Sequence, residues 1–94
     1  MIIAKIRFYT MTSFLQKKLL FRAWHRGTRE ADLLMGRFAE TNLPQFSQEQ
    51  LILFQKLLDE TDPDIYDWIT ERSPLPSRDI AEILTAMIEF YRIK

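Results

Sequence analysis

Cysteine is absent from this chain, which excludes a disulfide framework and any thiolate metal centre. A single histidine, His25, rules out the usual multi-histidine metal sites and leaves only carboxylate sites open. The only two glycines, Gly27 and Gly36, lie nine residues apart, and neither begins a phosphate-cradling loop. No apolar run approaches the roughly 20 residues of a membrane span, so no membrane insertion is expected. Acidic residues are missing from the first 29 positions, which carry Lys5, Arg7, Lys17, Lys18, Arg22, Arg26 and Arg29. The remainder holds six basic and thirteen acidic residues, so a formal net charge of zero conceals a positive N-terminal third and a negative body. That polarity fits either an oriented contact with another macromolecule or two halves that neutralise each other on folding.

What is present suits one globular core. Of 94 residues, 47% are hydrophobic, and seven Phe, three Tyr and two Trp supply bulky packing groups. Apolar residues recur with helical spacing almost throughout. Ser13 is placed to cap a helix over residues 14–26, with Phe14, Leu15, Leu19, Leu20, Ala23 and Trp24 as its apolar face. Gly27 ends it, and Thr28 caps a second helix bearing a stripe of Leu33, Leu34, Arg37, Phe38 and Thr41 that stops at Pro44. Ser47-Gln48-Glu49-Gln50 is a capping box before Leu51, Phe54, Leu57 and Leu58. Asp62 reads as an N-cap with Pro63 at the first helical position, opening a short helix with Ile65, Tyr66, Trp68 and Ile69. After Pro74-Leu75-Pro76, Ser77 is expected to cap a last helix carrying Ile80, Ile83, Leu84, Met87, Ile88 and Tyr91. The pattern predicts an all-α single domain, a small five-helix bundle, with a short strand possible only at Ile2–Phe8. The N-terminal ten residues are apolar and basic without a cleavage signal, and Met11-Thr12-Ser13 reads as an alternative start.

Catalytic constellations are hard to assemble from these residues. His25 could act as a general acid or base, but a histidine in a helix's last turn usually faces solvent and complements the helix dipole. Glu30 and Asp32, two apart on a helix, point about 200° from each other and form no paired site. At the corner between the first two helices, Arg26 and Glu30 could make a local ion pair, or the cluster could face a partner. Tyr66 and Trp68 stand likewise between two roles, core packing and interface anchoring. Residues 14–41 allow a helix-turn-helix, yet the second helix carries Glu30, Asp32 and Glu40, a poor match to a groove-reading helix, so nucleic acid is not an expected partner.

Two blocks give a more specific reading. Arg26-Gly27-Thr28-Arg29-Glu30-Ala31-Asp32 resembles the RGxxE(x)D signature of the succinate dehydrogenase assembly factors, which promote covalent flavin attachment. Asp62-Pro63-Asp64-Ile65-Tyr66-Asp67-Trp68-Ile69 resembles the family's second block, and both stand in order within residues 14–92. His25 and Ala31 depart from the usual basic residue and leucine. Residues 1–12 are read as an N-terminal extension, the first ten of them without a family counterpart, and residues 13–94 as a helical assembly-factor domain. The resemblance implies a bundle that is not itself an enzyme. Such a bundle binds the flavoprotein subunit of succinate dehydrogenase, or of fumarate reductase, and helps a histidine there bond to the 8α-methyl of FAD. Carried over, Arg26, Gly27 and Glu30 form the contact patch, with Asp32, Tyr66 and Trp68 supporting or flanking it. FAD is expected to belong to the partner and not to be tightly bound here; no metal is expected, and a monomer in a bacterial cytoplasm is favoured over a mitochondrial matrix location. The alternative is a generic helical interaction module with an unrelated partner.

Overall fold

Five α-helices and one 3-10 turn follow one another in a computed structural model that describes the backbone of residues 2–93 and the side chains of residues 13–92. They are α1 (Ile2–Trp24), α2 (Arg29–Asn42), the 3-10 turn Leu43–Gln45, α3 (Gln48–Leu58), α4 (Asp62–Ile69) and α5 (Ala81–Ile93). No strand occurs among the described residues, and the expected all-α bundle is what forms.

The first helix departs from expectation at its start. Residues 2–8 continue α1 instead of forming a strand, and Ser13 lies inside the helix, not at its cap. No proline or glycine precedes Ser13 to interrupt the helix, and a Ser in an uninterrupted stretch simply takes a helical position. Leu19 and Ala23 are buried, whereas Phe14 is 72% exposed, so the inward face is rotated away from that ring.

Against this face lies α2, in the most extensive contact of any pair of helices. Gly36 makes the approach possible: a Cβ there would overlap the Trp24 indole, which lies flat on the α2 backbone. The same indole donates from Nε1 to Glu40 at 3.0 Å. With Trp24 seated on Gly36, the buried face of α2 becomes Ala31, Met35, Phe38 and Ala39. The stripe expected from sequence is therefore misphased. Leu33 and Leu34 are only half-buried, and Arg37 and Thr41 are exposed.

Helix α3 forms as its signals dictate. Ser47 and Gln50 make the reciprocal capping box, and Leu51, Phe54, Leu57 and Leu58 are all buried. Phe38 sits at the centre of the core, edge-on to Phe90 at 5.5 Å and 6.0 Å from both Phe54 and Phe46. From α4 and α5 the core receives Ile65, Ile80, Ile83, Leu84 and Met87. Two helix starts differ from the sequence reading. Thr61, not Asp62, caps α4, its hydroxyl accepting from the Asp64 N–H at 3.3 Å. And α5 begins at Ala81, beyond Ser77, because residues 78–80 are held in a turn by buried Ile80 and by the pairs Arg78–Glu60 (3.0 Å) and Lys56–Asp79 (2.7 Å). The Asp79 carboxyl is held below its ordinary range, chiefly by its hydrogen bond from Lys56.

Helix α4 ends without a glycine. Glu71 adopts the left-handed conformation (φ 62°), while the Arg72 N–H donates to the Asp67 carbonyl at 2.9 Å and the Glu71 N–H to that of Trp68 at 3.1 Å. That is the paired closure normally built on glycine.

Candidate partner-binding site

The chain reverses between α1 and α2 at Gly27, whose φ of +120° is a conformation side-chain-bearing residues rarely adopt. Nothing lies within 4 Å of where its Cβ would stand, so the backbone there is open to an approaching surface. Thr28, extended at φ −127° and ψ 153°, caps α2 by accepting from the Ala31 N–H at 3.2 Å. Asp32 closes the turn from behind: its carboxylate accepts from the backbone N–H groups of Arg26 (2.6 Å) and Gly27 (3.2 Å). The role of Asp32 in the fold is therefore to fix the shape of the corner.

Arg26 is turned inward. Its Nε donates to Asp62 at 2.8 Å, Nη1 to the Leu58 carbonyl at 2.6 Å and Nη2 to the Glu60 carbonyl at 2.8 Å, and only 10% of the side chain is exposed. Leu58 ends α3, whose last carbonyls carry the negative end of the helix dipole and lack helical partners. One guanidinium thus ties the end of α1 to the joint between α3 and α4. The local Arg26–Glu30 pair weighed from sequence does not form, because Asp62 and these carbonyls offer a better-shielded set of acceptors.

Glu30 is left outside this network. It is exposed, in the first turn of α2 where a carboxylate favours the helix dipole, and it makes no hydrogen bond or ion pair with the described residues. It stands at one end of an open groove of about 610 Å³ between α2, the start of α4 and the end of α5. Leu33, Leu34, Pro63, Ile65 and Tyr66 form much of its wall, and Arg37 stands at the far end. Tyr66 is 49% exposed, with the Arg72 guanidinium 5.9 Å from its ring centre. Trp68, two residues on along α4, packs on the core instead. The two aromatics expected together are therefore separated, Tyr66 with the groove and Trp68 with the interior. Tyr91 of α5 also lines the groove; its hydroxyl donates to the Leu34 carbonyl, and burial raises the phenol above its ordinary value.

The structure so brings Gly27, Glu30 and Tyr66 to one accessible region, while Arg26 and Asp32 hold it in place from within. Sequence reasoning overlooked Asp62 as the arginine's partner and Arg37 and the Leu33–Leu34 pair as surface. The available signal was an excess: α2 has more large apolar residues than one buried stripe can accept. His25 is exposed and stacked on Phe21 with ring centres 4.0 Å apart, its Nδ1 2.7 Å from the Phe21 carbonyl oxygen. Among the described residues no cluster of His, Cys, Asp or Glu could hold a metal ion, and no helix is long and apolar enough to cross a membrane.

Comparison with known proteins agrees with the two sequence blocks. A family described as the flavinator of succinate dehydrogenase matches residues 17–91. The FAD assembly factor SdhE of Acetobacter pasteurianus is 39% identical over 79 residues, covering 84% of this chain and 72% of that protein. The mitochondrial succinate dehydrogenase assembly factor 2 of Dictyostelium discoideum is 40% identical over 70 residues, 74% of this chain and 50% of its own length. Its counterpart in Debaryomyces hansenii is 47% identical over 64 residues, with 65% and 45% covered. This chain thus spans most of the bacterial relative but half or less of these two mitochondrial ones. With the corner motif, the second block and the match over residues 17–91 in agreement, the chain belongs to the flavinator of succinate dehydrogenase family.

Proposed function

We propose that this protein is an assembly factor that binds the flavoprotein subunit of succinate dehydrogenase and promotes covalent attachment of FAD to it. The observation that carries the reading is Glu30: an exposed carboxylate, without a hydrogen-bond or ion-pair partner among the described residues, carried beside the open Gly27 turn whose backbone the Arg26 and Asp32 contacts hold in shape. A surface held in one shape can keep a partner's reacting atoms in a productive geometry, and that alone removes a large share of a barrier. The bond is formed in the partner, between its own residue and its own FAD. This chain is not the enzyme, binds no FAD tightly and works as a monomer against its partner. Fumarate reductase, whose flavoprotein presents the same task, is a second client, and the bacterial cytoplasm is the compartment.

Co-expression with the apo flavoprotein subunit, followed by in-gel flavin fluorescence after denaturation, tests this. Fluorescence is expected with the wild-type protein and is expected to fade with Glu30→Ala, while the melting of that variant stays within about 0.5 kcal/mol of wild type. Equal labelling with and without the protein would sink the reading.

A further inference from the structure

Along α2, Glu30, Leu33, Leu34 and Arg37 occupy positions i, i+3, i+4 and i+7, a single stripe about 10 Å long on the groove side of the helix. Its two charges are of opposite sign, and neither forms a hydrogen bond or ion pair with the described residues. Between them the leucines are half-buried and meet Pro63, Ile65 and Tyr66 across an apolar floor. An isolated domain gains nothing from leaving such a surface open to water. Its charge order also makes it directional. We propose, resting on the function above, that this groove seats a two-turn amphipathic helical segment of the flavoprotein. The segment has a basic residue over Glu30, two apolar residues over the leucines, and an acidic residue over Arg37.

Three features favour that occupant. The groove is concave and wide enough for several side chains, so it takes a convex apolar ridge, as helix-in-groove recognition does. A helix lying along α2 repeats the same 10 Å between its own i and i+7 positions, which matches both charges at once. And the groove is lined from Thr28 onward, next to the Gly27 turn, so the segment would continue the contact proposed at that corner. The groove supplies apolar area for affinity, and its end charges fix which way the segment lies.

The test is calorimetric titration of the apo flavoprotein subunit with wild-type protein and with three variants. Arg37→Glu, at an exposed position, is expected to weaken binding about tenfold in low salt, with the loss shrinking as salt is raised. Leu33→Asp is expected to weaken it about 30-fold or more at any salt. Ile52→Asp, on the exposed side of α3 away from the groove, is expected to bind as wild type. A photo-reactive benzoylphenylalanine replacing Leu33 should then label one segment of the flavoprotein with a basic and an acidic residue seven apart around apolar positions. Wild-type affinity in both Arg37→Glu and Leu33→Asp, or labelling of a segment without that order, overturns the groove and leaves the proposed function standing. Labelling of a second copy of this chain overturns it in favour of self-association. No binding of the wild-type protein, with no effect on flavin attachment, overturns both.

Discussion

Arg26 and Glu30, four residues apart in one motif, have opposite fates. Arg26 is almost buried and fully engaged, with three donors on Asp62 and two carbonyls; Glu30 is exposed and makes no hydrogen bond or ion pair with the described residues. A short motif has thus been divided between holding a shape and presenting a group. Asp32 and Trp68 side with Arg26, and Gly27 and Tyr66 with Glu30. The inward half supports the turn that carries the outward half, so on the function proposed above loss of either is expected to weaken flavin attachment, for different reasons. Activity alone cannot tell them apart. Stability can.

The largest expected loss is at the inward side. Arg26→Ala removes three hydrogen bonds, leaves the Asp62 carboxylate and two carbonyls without their donor, and is expected to cost about 3 kcal/mol, or on the order of 10 °C in Tm. A thermal melt showing less than about 1 kcal/mol would place the guanidinium on the presenting side instead. Gly36→Ala comes next. Its methyl overlaps three atoms of the Trp24 ring, a strain in the upper part of the usual range, about 2–3 kcal/mol, partly offset by about 1 kcal/mol of helix propensity, so a net loss of about 1–2 kcal/mol is expected by chemical denaturation. An unchanged midpoint would mean that the indole slides off α2 at little cost. Tyr91→Phe is smaller at neutral pH, about 1 kcal/mol for the bond to Leu34. It also carries a pH signature. The half-buried phenol has its folded-state value raised, so its contribution is complete below about pH 10 and is lost as pH rises through the folded value. Wild-type melts should therefore fall more steeply above about pH 10 than those of Tyr91→Phe; parallel curves would remove Tyr91 from the packing behind the groove. Glu30→Ala ends the series, nearly silent in stability and decisive in flavin attachment.

How much of this was legible depended on how local each signal was. The α3 capping box and its four buried residues could be read directly, since Ser47, Gln50 and the spacing from Leu51 to Leu58 lie within a dozen positions. The Thr28 cap and the Gly27 turn were equally local. The divergence of Glu30 from Asp32 followed from helix geometry, whereas the placing of Glu30 in a contact patch came from the family resemblance. What was missed depended on contacts across the fold. The inward face of α2 is chosen by Trp24 lying on Gly36, and no periodicity within α2 announces that. Asp62 looks like a cap until Arg26 arrives from far upstream, after which Thr61 takes the role. Likewise Ser77 is a sound helix start that loses to the burial of Ile80 three positions later. The groove was invisible for the same reason. It exists only because α2, α4 and α5 meet, although the surplus of leucines on α2 was its trace in the sequence.

The arginine tether also bears on timing. Its three acceptors lie 32, 34 and 36 residues further along the chain. Contacts across such separations cannot form until the intervening loops have closed. The Gly27 turn has its local closure from Asp32, but the Arg26 tether beneath it forms only after α3 and α4 are in place, so a chain halted before then has the turn without the tether. In refolding experiments Arg26→Ala should accordingly hasten unfolding and leave the folding rate almost unchanged. The guanidinium therefore joins distant stretches of the chain beneath the corner, and its set of contacts is complete only in the finished molecule.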